Sequence, residues 1–269
     1  MTFVSRIFAD RAEAGRALAR KVQNLHLQTP VLVLGLPRGG VPVAYEVARA
    51  LNAPLDVMLV RKVGMPGQPE LAIGAIASGN IVVHEPRMEQ QAPELAGVFD
   101  RLAETQRHEL ERREQVYRGH LAPLNLKGKK VILVDDGLAT GSTMLAAIRA
   151  ARKLGAALIV VAAPVASLEA AELVEDEADK TVILQTPAVL WAIGEWYRNF
   201  QQVEDAEVCR LLDLNRQNQA ESPSRKNCFG MVRPRALVVK LRSRVPSPAA
   251  STNAQGSASN ITQPPFTSF

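Results

Sequence analysis

The chemistry of this chain gathers in one stretch, VILVDDGLATGSTM, from Val131 to Met144. Four aliphatic residues run into two adjacent carboxylates, Asp135 and Asp136, and then into a loop of small and hydroxylated residues, Gly137 to Thr143. Backbone N–H groups in such a loop, set just before a helix, form a cradle for an anion, to which the hydroxyls of Thr140, Ser142 and Thr143 add donors. Two aspartates aimed into that cradle would repel a phosphate. Placed beside it they suit a vicinal diol, because a carboxylate accepts hydrogen bonds from hydroxyls. A diol next to a phosphate describes a ribose 5-phosphate. The Walker loop G-x-x-x-x-G-K-[ST] does not fit, since GLATGST has other spacing and no lysine, and G-x-G-x-x-G is absent.

These residues need a strand to deliver them and a helix to follow. VILV (131–134) is a short apolar run, as expected of a strand buried on both faces, and STMLAAIRAARKLG (142–155) reads as the helix, with Gly155 closing it. LIVVAAPV (158–165) completes a βαβ unit. Upstream, Asp10 caps a helix to about Gln23 with Ala14, Leu18 and Val22 on one face, VLVLG (31–35) is a strand, and 42–51 a helix. LDVMLV (55–60) reads as one strand, 72–77 and 81–84 as a hairpin around Ser78-Gly79-Asn80, and 92–118 as a long polar helix. A helix over 168–178 and a strand over 181–186 follow. Alternation of this kind predicts an α/β fold: a mainly parallel, Rossmann-like sheet flanked by helices.

Composition agrees and narrows the class. The chain has 269 residues, enough for a sizeable core, and its 47% hydrophobic but only 4% aromatic content points to aliphatic packing. No apolar run approaches the roughly 18–20 residues that cross a bilayer. The first residues lack the basic-then-apolar order of a signal peptide, so a cytoplasmic protein is expected. The two cysteines, Cys209 and Cys228, have no metal-type spacing. The net charge of +5 is local: seven of 32 basic residues but one of 27 acids lie from Glu221 onward, leaving residues 1–220 near neutral. Residues 221–269 are rich in Pro and Ser and read as a disordered basic tail behind a single domain, 1–220. A nucleic-acid partner is not expected.

VILVDDGLATGSTM resembles the PRPP-binding motif of type I phosphoribosyltransferases, in which four hydrophobic residues, two acids and a T-G-x-T phosphate loop follow one another. LPRGGVPVA and PELAIGA are similar to segments of uncharacterised bacterial phosphoribosyltransferase-like proteins. The resemblance implies that Asp135 and Asp136 hold the ribose hydroxyls, and that Gly137, Ala139, Thr140, Gly141, Ser142 and Thr143 hold the 5′-phosphate. PRPP also carries a pyrophosphate, which leaves with Mg²⁺, so a second anion site is required. Leu36, Pro37, Arg38 and Gly39, after the first strand, supply glycine for close approach and a guanidinium for phosphate oxygens; in the family this loop often holds a strained or cis peptide. VRKVGMPGQPE (60–70) resembles the start of the flexible loop of adenine phosphoribosyltransferases, where Arg61 and Lys62, at a strand end, would meet the pyrophosphate.

The pattern departs from the family at the general acid/base. Ala139 stands where hypoxanthine-guanine enzymes have an aspartate, and Ala77 where adenine enzymes have a glutamate, which leaves Glu70 as the one nearby acid and the catalytic candidate. LWAIGEWYRNF (190–200) loosely resembles the purine enzymes' aromatic segment, with Trp191 as the residue that stacks on the acceptor. The expected activity is transfer of ribose 5-phosphate from PRPP to a small nitrogenous acceptor, with Mg²⁺ as cofactor held through PRPP and a homodimer as the candidate assembly. A non-catalytic PRPP or nucleotide sensor on the same fold is the alternative. A hydrolase of a phosphorylated sugar or nucleotide is a further one, disfavoured because no G-x-S-x-G or H-E-x-x-H occurs and His26, His84, His108 and His120 are scattered.

Overall fold

A computed structural model describes residues 7–65, 68–84, 96–119 and 121–221, with side chains throughout except in 68–72 and 96–98. The tail read as disordered therefore lies outside the described residues from 222 onward, as do 92–95 of the long helix.

The first helix, α1 (Arg11–Gln23), starts where its capping residue sets it: the Asp10 carboxylate accepts the Glu13 N–H at 2.7 Å, and Glu13 reaches back to the Ala9 N–H at 2.6 Å. Ala14, Leu18 and Val22 are fully buried, as the 3.6-residue period requires. Then come β1 (Val31–Gly35), α2 (Gly40–Leu51) and the short β2 (Leu55–Val57). After a second sheet and α3 (Ala96–Arg118), the chain returns as β6 (Lys130–Val134), α4 (Ser142–Lys153), β7 (Leu158–Val165), α5 (Leu168–Glu175), β8 (Lys180–Gln185) and, past a 3₁₀ turn, α6 (Asp205–Glu221). The main sheet is parallel throughout, in the order β2-β1-β6-β7-β8. Its strands are apolar on both faces for a simple reason. Ile132 and Val134 of β6 pack with α1, α2 and α6, while Val131 and Leu133 pack with α4 and α5. Each such side chain contributes about 1.5–3 kcal/mol on burial.

The second sheet corrects one expectation. LDVMLV is two strands in two sheets: β2 stops at Val57, and β3 (Val60–Met65) begins an antiparallel sheet with β4 (Gln68–Ala77) and β5 (Ile81–His84). Met58 and Leu59 form the crossover between them and are apolar because they are buried there. Ser78 pins this crossover from the hairpin turn. Its Oγ accepts the Leu59 N–H at 3.0 Å and its own N–H donates to the Leu59 carbonyl at 2.9 Å, although Ser78 itself is fully buried. The same pairing changes the segment read as a mobile lid: 60–65 and 68–77 are partners in a hairpin, and Arg61 and Lys62 open a strand rather than end one. The turn itself is as expected, with Gly79 and Asn80 both at positive φ.

Helix α6 has no counterpart in the sequence reading. It buries Val208, Leu211 and Leu212, and its buried Asn215 satisfies the edge strand, accepting from the Leu55 N–H at 2.8 Å and donating to the Ala53 carbonyl at 3.2 Å. Arg118, at the end of α3, is 8% exposed and pairs with Asp56 of β2 at 3.1 Å, tying the long helix to the same edge. Cys209 is a free, half-buried thiol. No described helix is long and apolar enough to cross a membrane.

Candidate functional site

β1 and β6 are in register, Gly35 opposite Val134, so the loops after them leave the sheet side by side. The Leu36 N–H donates to the Val134 carbonyl at 2.9 Å and holds the first loop against the second. Gly39 and Gly40 then start α2 directly behind the two acids. A Cβ on Gly39 would stand 2.0 Å from Asp136 Oδ2, and one on Gly40 2.6 Å from the Val134 carbonyl oxygen. Both glycines are there for space. The peptide between Pro37 and Arg38 is cis.

Asp135 and Asp136 lie at the mouth of β6, Asp136 buried and Asp135 half-buried. The Asp136 N–H donates to Asp135 Oδ1 at 2.9 Å. Burial raises the Asp135 carboxyl well above the ordinary carboxylate range, and the neighbouring Asp136 raises it further. Burial also raises Asp136, but here a cation opposes it: Arg11, the first residue of α1, donates from Nε to Asp136 Oδ2 at 2.7 Å. That guanidinium also donates from Nη1 to the Gln201 carbonyl at 2.8 Å and lies 3.8 Å over the Phe200 ring. Tyr197 closes the other side, its hydroxyl donating to the Asp136 carbonyl at 2.5 Å. Burial drives the Tyr197 phenol far above its ordinary value, so it stays protonated as a donor. Arg11 and Tyr197 are the site residues that sequence reasoning did not assign: no local signal marks Arg11, 125 residues from Asp136, and Tyr197, one aromatic of the 190–200 segment, meets it from 61 residues away.

The loop assigned to phosphate, Gly137 to Thr143, leads from β6 into α4. Gly137 and Leu138 are buried: Gly137 has room only for hydrogen against Ile193, and Leu138 bonds in parallel to Ala166. The loop then turns outward, so that Ala139 and Thr140 are exposed and Ser142 and Thr143 half-exposed. Gly141 caps α4 at φ 72, close against Ala170, and offers no side-chain oxygen to the first amides of the helix. Ser167 Oγ donates to the Ala139 carbonyl at 2.7 Å and Thr140 Oγ1 lies 2.8 Å from Ser142 Oγ. These contacts fix the loop in place with Ala139 and Thr140 exposed at its tip.

The residues assigned to pyrophosphate are brought together only in part. Leu36, Pro37 and Arg61 share a small cavity with Thr143 and with Arg113 of α3, and Arg61 Nε donates to Gln106 Oε1 at 2.7 Å. Arg38 turns towards α6, its Nη1 lying 3.9 Å from Glu204 and 3.8 Å from Asp205. Lys62, on the opposite face of β3 from Arg61, lines a separate cleft with His84, Ser142 and Arg149. Trp191 is 85% exposed after β8, whereas Tyr197 is buried against Phe8. Glu70 falls in β4, but its side chain lies outside the described residues. Ala77 is buried, 1% exposed. Among the described residues no three His, Cys, Asp or Glu gather as a metal cluster.

A phosphoribosyl transferase domain model matches residues 5–204. The chain is 43% identical over 217 residues to Rv0571c of Mycobacterium tuberculosis, which bears a provisional phosphoribosyl transferase name; the match covers 81% of this chain and 49% of that one. The chain thus spans about half the length of the curated relatives it matches. The crystal structure of TT1426 from Thermus thermophilus aligns with a TM-score of 0.70 at 44% identity, over 76% of this chain and 97% of that one. A stretch of 36 residues is 64% identical to the adenine phosphoribosyltransferase of Marinobacter nauticus, covering 13% of this chain and 20% of that one.

Proposed function

The chain belongs to the phosphoribosyl transferase domain family, and from that footing we propose that it binds PRPP with Mg²⁺ and transfers ribose 5-phosphate to a nitrogenous acceptor, releasing pyrophosphate. One observation carries the reading. The acid pair, Asp136 buried and Asp135 half-buried, stands directly beside an exposed loop of small and hydroxylated residues at the start of α4, so a diol and a phosphate meet at one strand end.

In this reading Asp135 and Asp136 accept hydrogen bonds from the ribose hydroxyls, and the amides and hydroxyls of Thr140, Ser142 and Thr143 take the 5′-phosphate. Leu36 to Gly39, with Arg61, receive the pyrophosphate. The donors left there are the N–H groups of Arg38 and Gly39 and the Arg38 and Arg61 guanidinium groups, which fit the oxygens of the anion rather than a metal ion, so Mg²⁺ would be held through PRPP itself. Bound there, Mg²⁺ neutralises charge on the departing group. Positioning and charge stabilisation then supply most of the rate. Trp191, exposed beyond β8, is the surface on which a planar acceptor stacks.

A second reading keeps the binding and drops the turnover. It is favoured by Ala77, whose buried methyl occupies the position aligned with the adenine enzymes' acid. The test begins with calorimetry of PRPP and Mg²⁺ on the intact protein: binding is expected, and its loss in the Asp135→Asn, Asp136→Asn double variant. Absence of binding by the wild type overturns both readings. Pyrophosphate release over a panel of purines and pyrimidines separates them, since a sensor binds and releases nothing.

A further inference from the structure

Arg11 has no place in the scheme above, yet it is the cation most firmly built into the site. Its side chain is 11% exposed, as is that of Asp136, and their contact at 2.7 Å spans 125 residues. Three anchors fix the guanidinium: the Asp136 carboxylate, the Gln201 carbonyl at 2.8 Å and the Phe200 face at 3.8 Å. Helix α1 aims it, because the Asp10 cap sets the first turn and Arg11 is its first residue. An arginine so held has lost its rotamer freedom in advance, and little entropy remains to be lost when a ligand orders the carboxylate.

We propose that Arg11 is a positioning residue for the donor sugar: it holds Asp136 ionised and in one rotamer, so that the carboxylate is ready to accept from a ribose hydroxyl. This deepens the phosphoribosyl reading and rests on it. The need for such a residue follows from the surroundings of Asp136. Asp135 adjoins it on its own strand end, Tyr197 faces it from the segment after the 3₁₀ turn and stays neutral, and Gly39 meets it from the β1 loop with no charge. Arg11 alone among them carries a positive charge. Without it two neighbouring buried carboxyls face each other, and a proton shared between them replaces the acceptor that the diol requires.

The same anchors give Arg11 a second consequence. Phe200 and Gln201 belong to the segment that begins at Trp191 after β8, so Arg11 ties the Asp136 carboxylate to the segment that Tyr197 already ties to the Asp136 backbone carbonyl.

The test uses the full chain, as wild type, Arg11→Gln and Arg11→Lys. PRPP–Mg²⁺ affinity is measured by calorimetry from pH 5.5 to 9, and the Asp135 and Asp136 carboxyl carbons are titrated by NMR without ligand. Arg11→Gln is expected to weaken PRPP binding by roughly 10- to 100-fold near neutrality, the loss of one charge-assisted hydrogen bond. It is also expected to move the rise of affinity to higher pH and the Asp136 titration with it. Arg11→Lys, which restores charge without the fork, returns the pH profile towards wild type while affinity stays below it. A purely architectural arginine would lower affinity equally at every pH and leave the Asp136 titration where it was; that outcome overturns the proposal. If the wild type does not bind PRPP, the phosphoribosyl reading fails and the inference for the sugar falls with it. If the wild type binds and Arg11→Gln matches it in affinity and pH profile, only the inference fails.

Discussion

Gly39→Ala tests the architecture of the site with a single methyl group. Gly39 has φ −61, an ordinary backbone that any residue adopts, so conformation imposes no penalty. The whole effect is spatial. The new Cβ would lie 2.0 Å from Asp136 Oδ2 and 2.7 Å from its Cγ, where ordinary contact begins at 3.4 Å. The carboxylate must withdraw by roughly 1.4 Å, and it has little freedom to do so, since Tyr197 holds its backbone carbonyl. Withdrawal takes the 2.7 Å Arg11 contact out of hydrogen-bonding range. Overpacking costs about 1–3 kcal/mol and the charged hydrogen bond about 1.5–3, part of which is recovered by relaxation. A net loss of roughly 2–4 kcal/mol follows, which lowers Tm by about 5–10 °C in a domain of this size and weakens PRPP at least about 10-fold. Calorimetric melting and PRPP titration read both. Gly128→Ala is the counterpart: nothing lies within 4 Å of its Cβ, but φ is +72, so it costs stability, about 1–2 kcal/mol, at the far end of β6 and leaves affinity alone. Gly39→Ala with wild-type Tm and affinity, or with losses no different in kind from those of Gly128→Ala, would refute the reasoning.

Two further outcomes follow from the same contacts. Because the folded protein raises the Asp135 carboxyl above its unfolded value, the stability linked to its proton is complete below the ordinary carboxylate range and is lost as pH rises through the raised value. Asp135→Asn should therefore raise Tm at neutral pH, by about 2–4 °C for each kcal/mol relieved, with the gain shrinking as pH falls, while PRPP binding is lost; a Tm gain independent of pH would contradict this. Asn215→Leu strands the Leu55 N–H and the Ala53 carbonyl in the core and should lower stability by about 2–4 kcal/mol in urea unfolding, with PRPP affinity at its wild-type value in the folded protein; an unchanged midpoint would show that water replaces the amide.

What the sequence made legible was local. Asp10 as a cap, the two-faced strand before Asp135, the helix that starts at Ser142 and the Ser78-Gly79-Asn80 turn each follow from neighbouring residues obeying one short-range rule. What escaped it was set at distance. LDVMLV is apolar but for Asp56, every residue in it is wholly or partly buried, and burial alone does not say that a chain changes sheets after Val57. Helix α6 was missed since its buried positions, Val208, Leu211, Leu212 and Asn215, are interleaved with charge and include an amide. Arg38 looked like a phosphate ligand from its loop, and only the fold brings Glu204 and Asp205 within 4 Å of it. Arg11, given no role from the sequence, acquires its meaning from a carboxylate 125 residues away.

Asp136 is tied to two segments far apart in the sequence. Phe8 and Ala9 exchange backbone hydrogen bonds with Trp196, Arg198 and Asn199, which sets Arg11 on one flank of Asp136 and Tyr197 on the other. A chain leaving the ribosome thus has its motif long before it has a binding site, because residue 201 must arrive and find residue 11 before the acids are held. Contacts of such span form late and slowly. If the chain binds PRPP as proposed, affinity for it measures whether the chain has finished closing on itself.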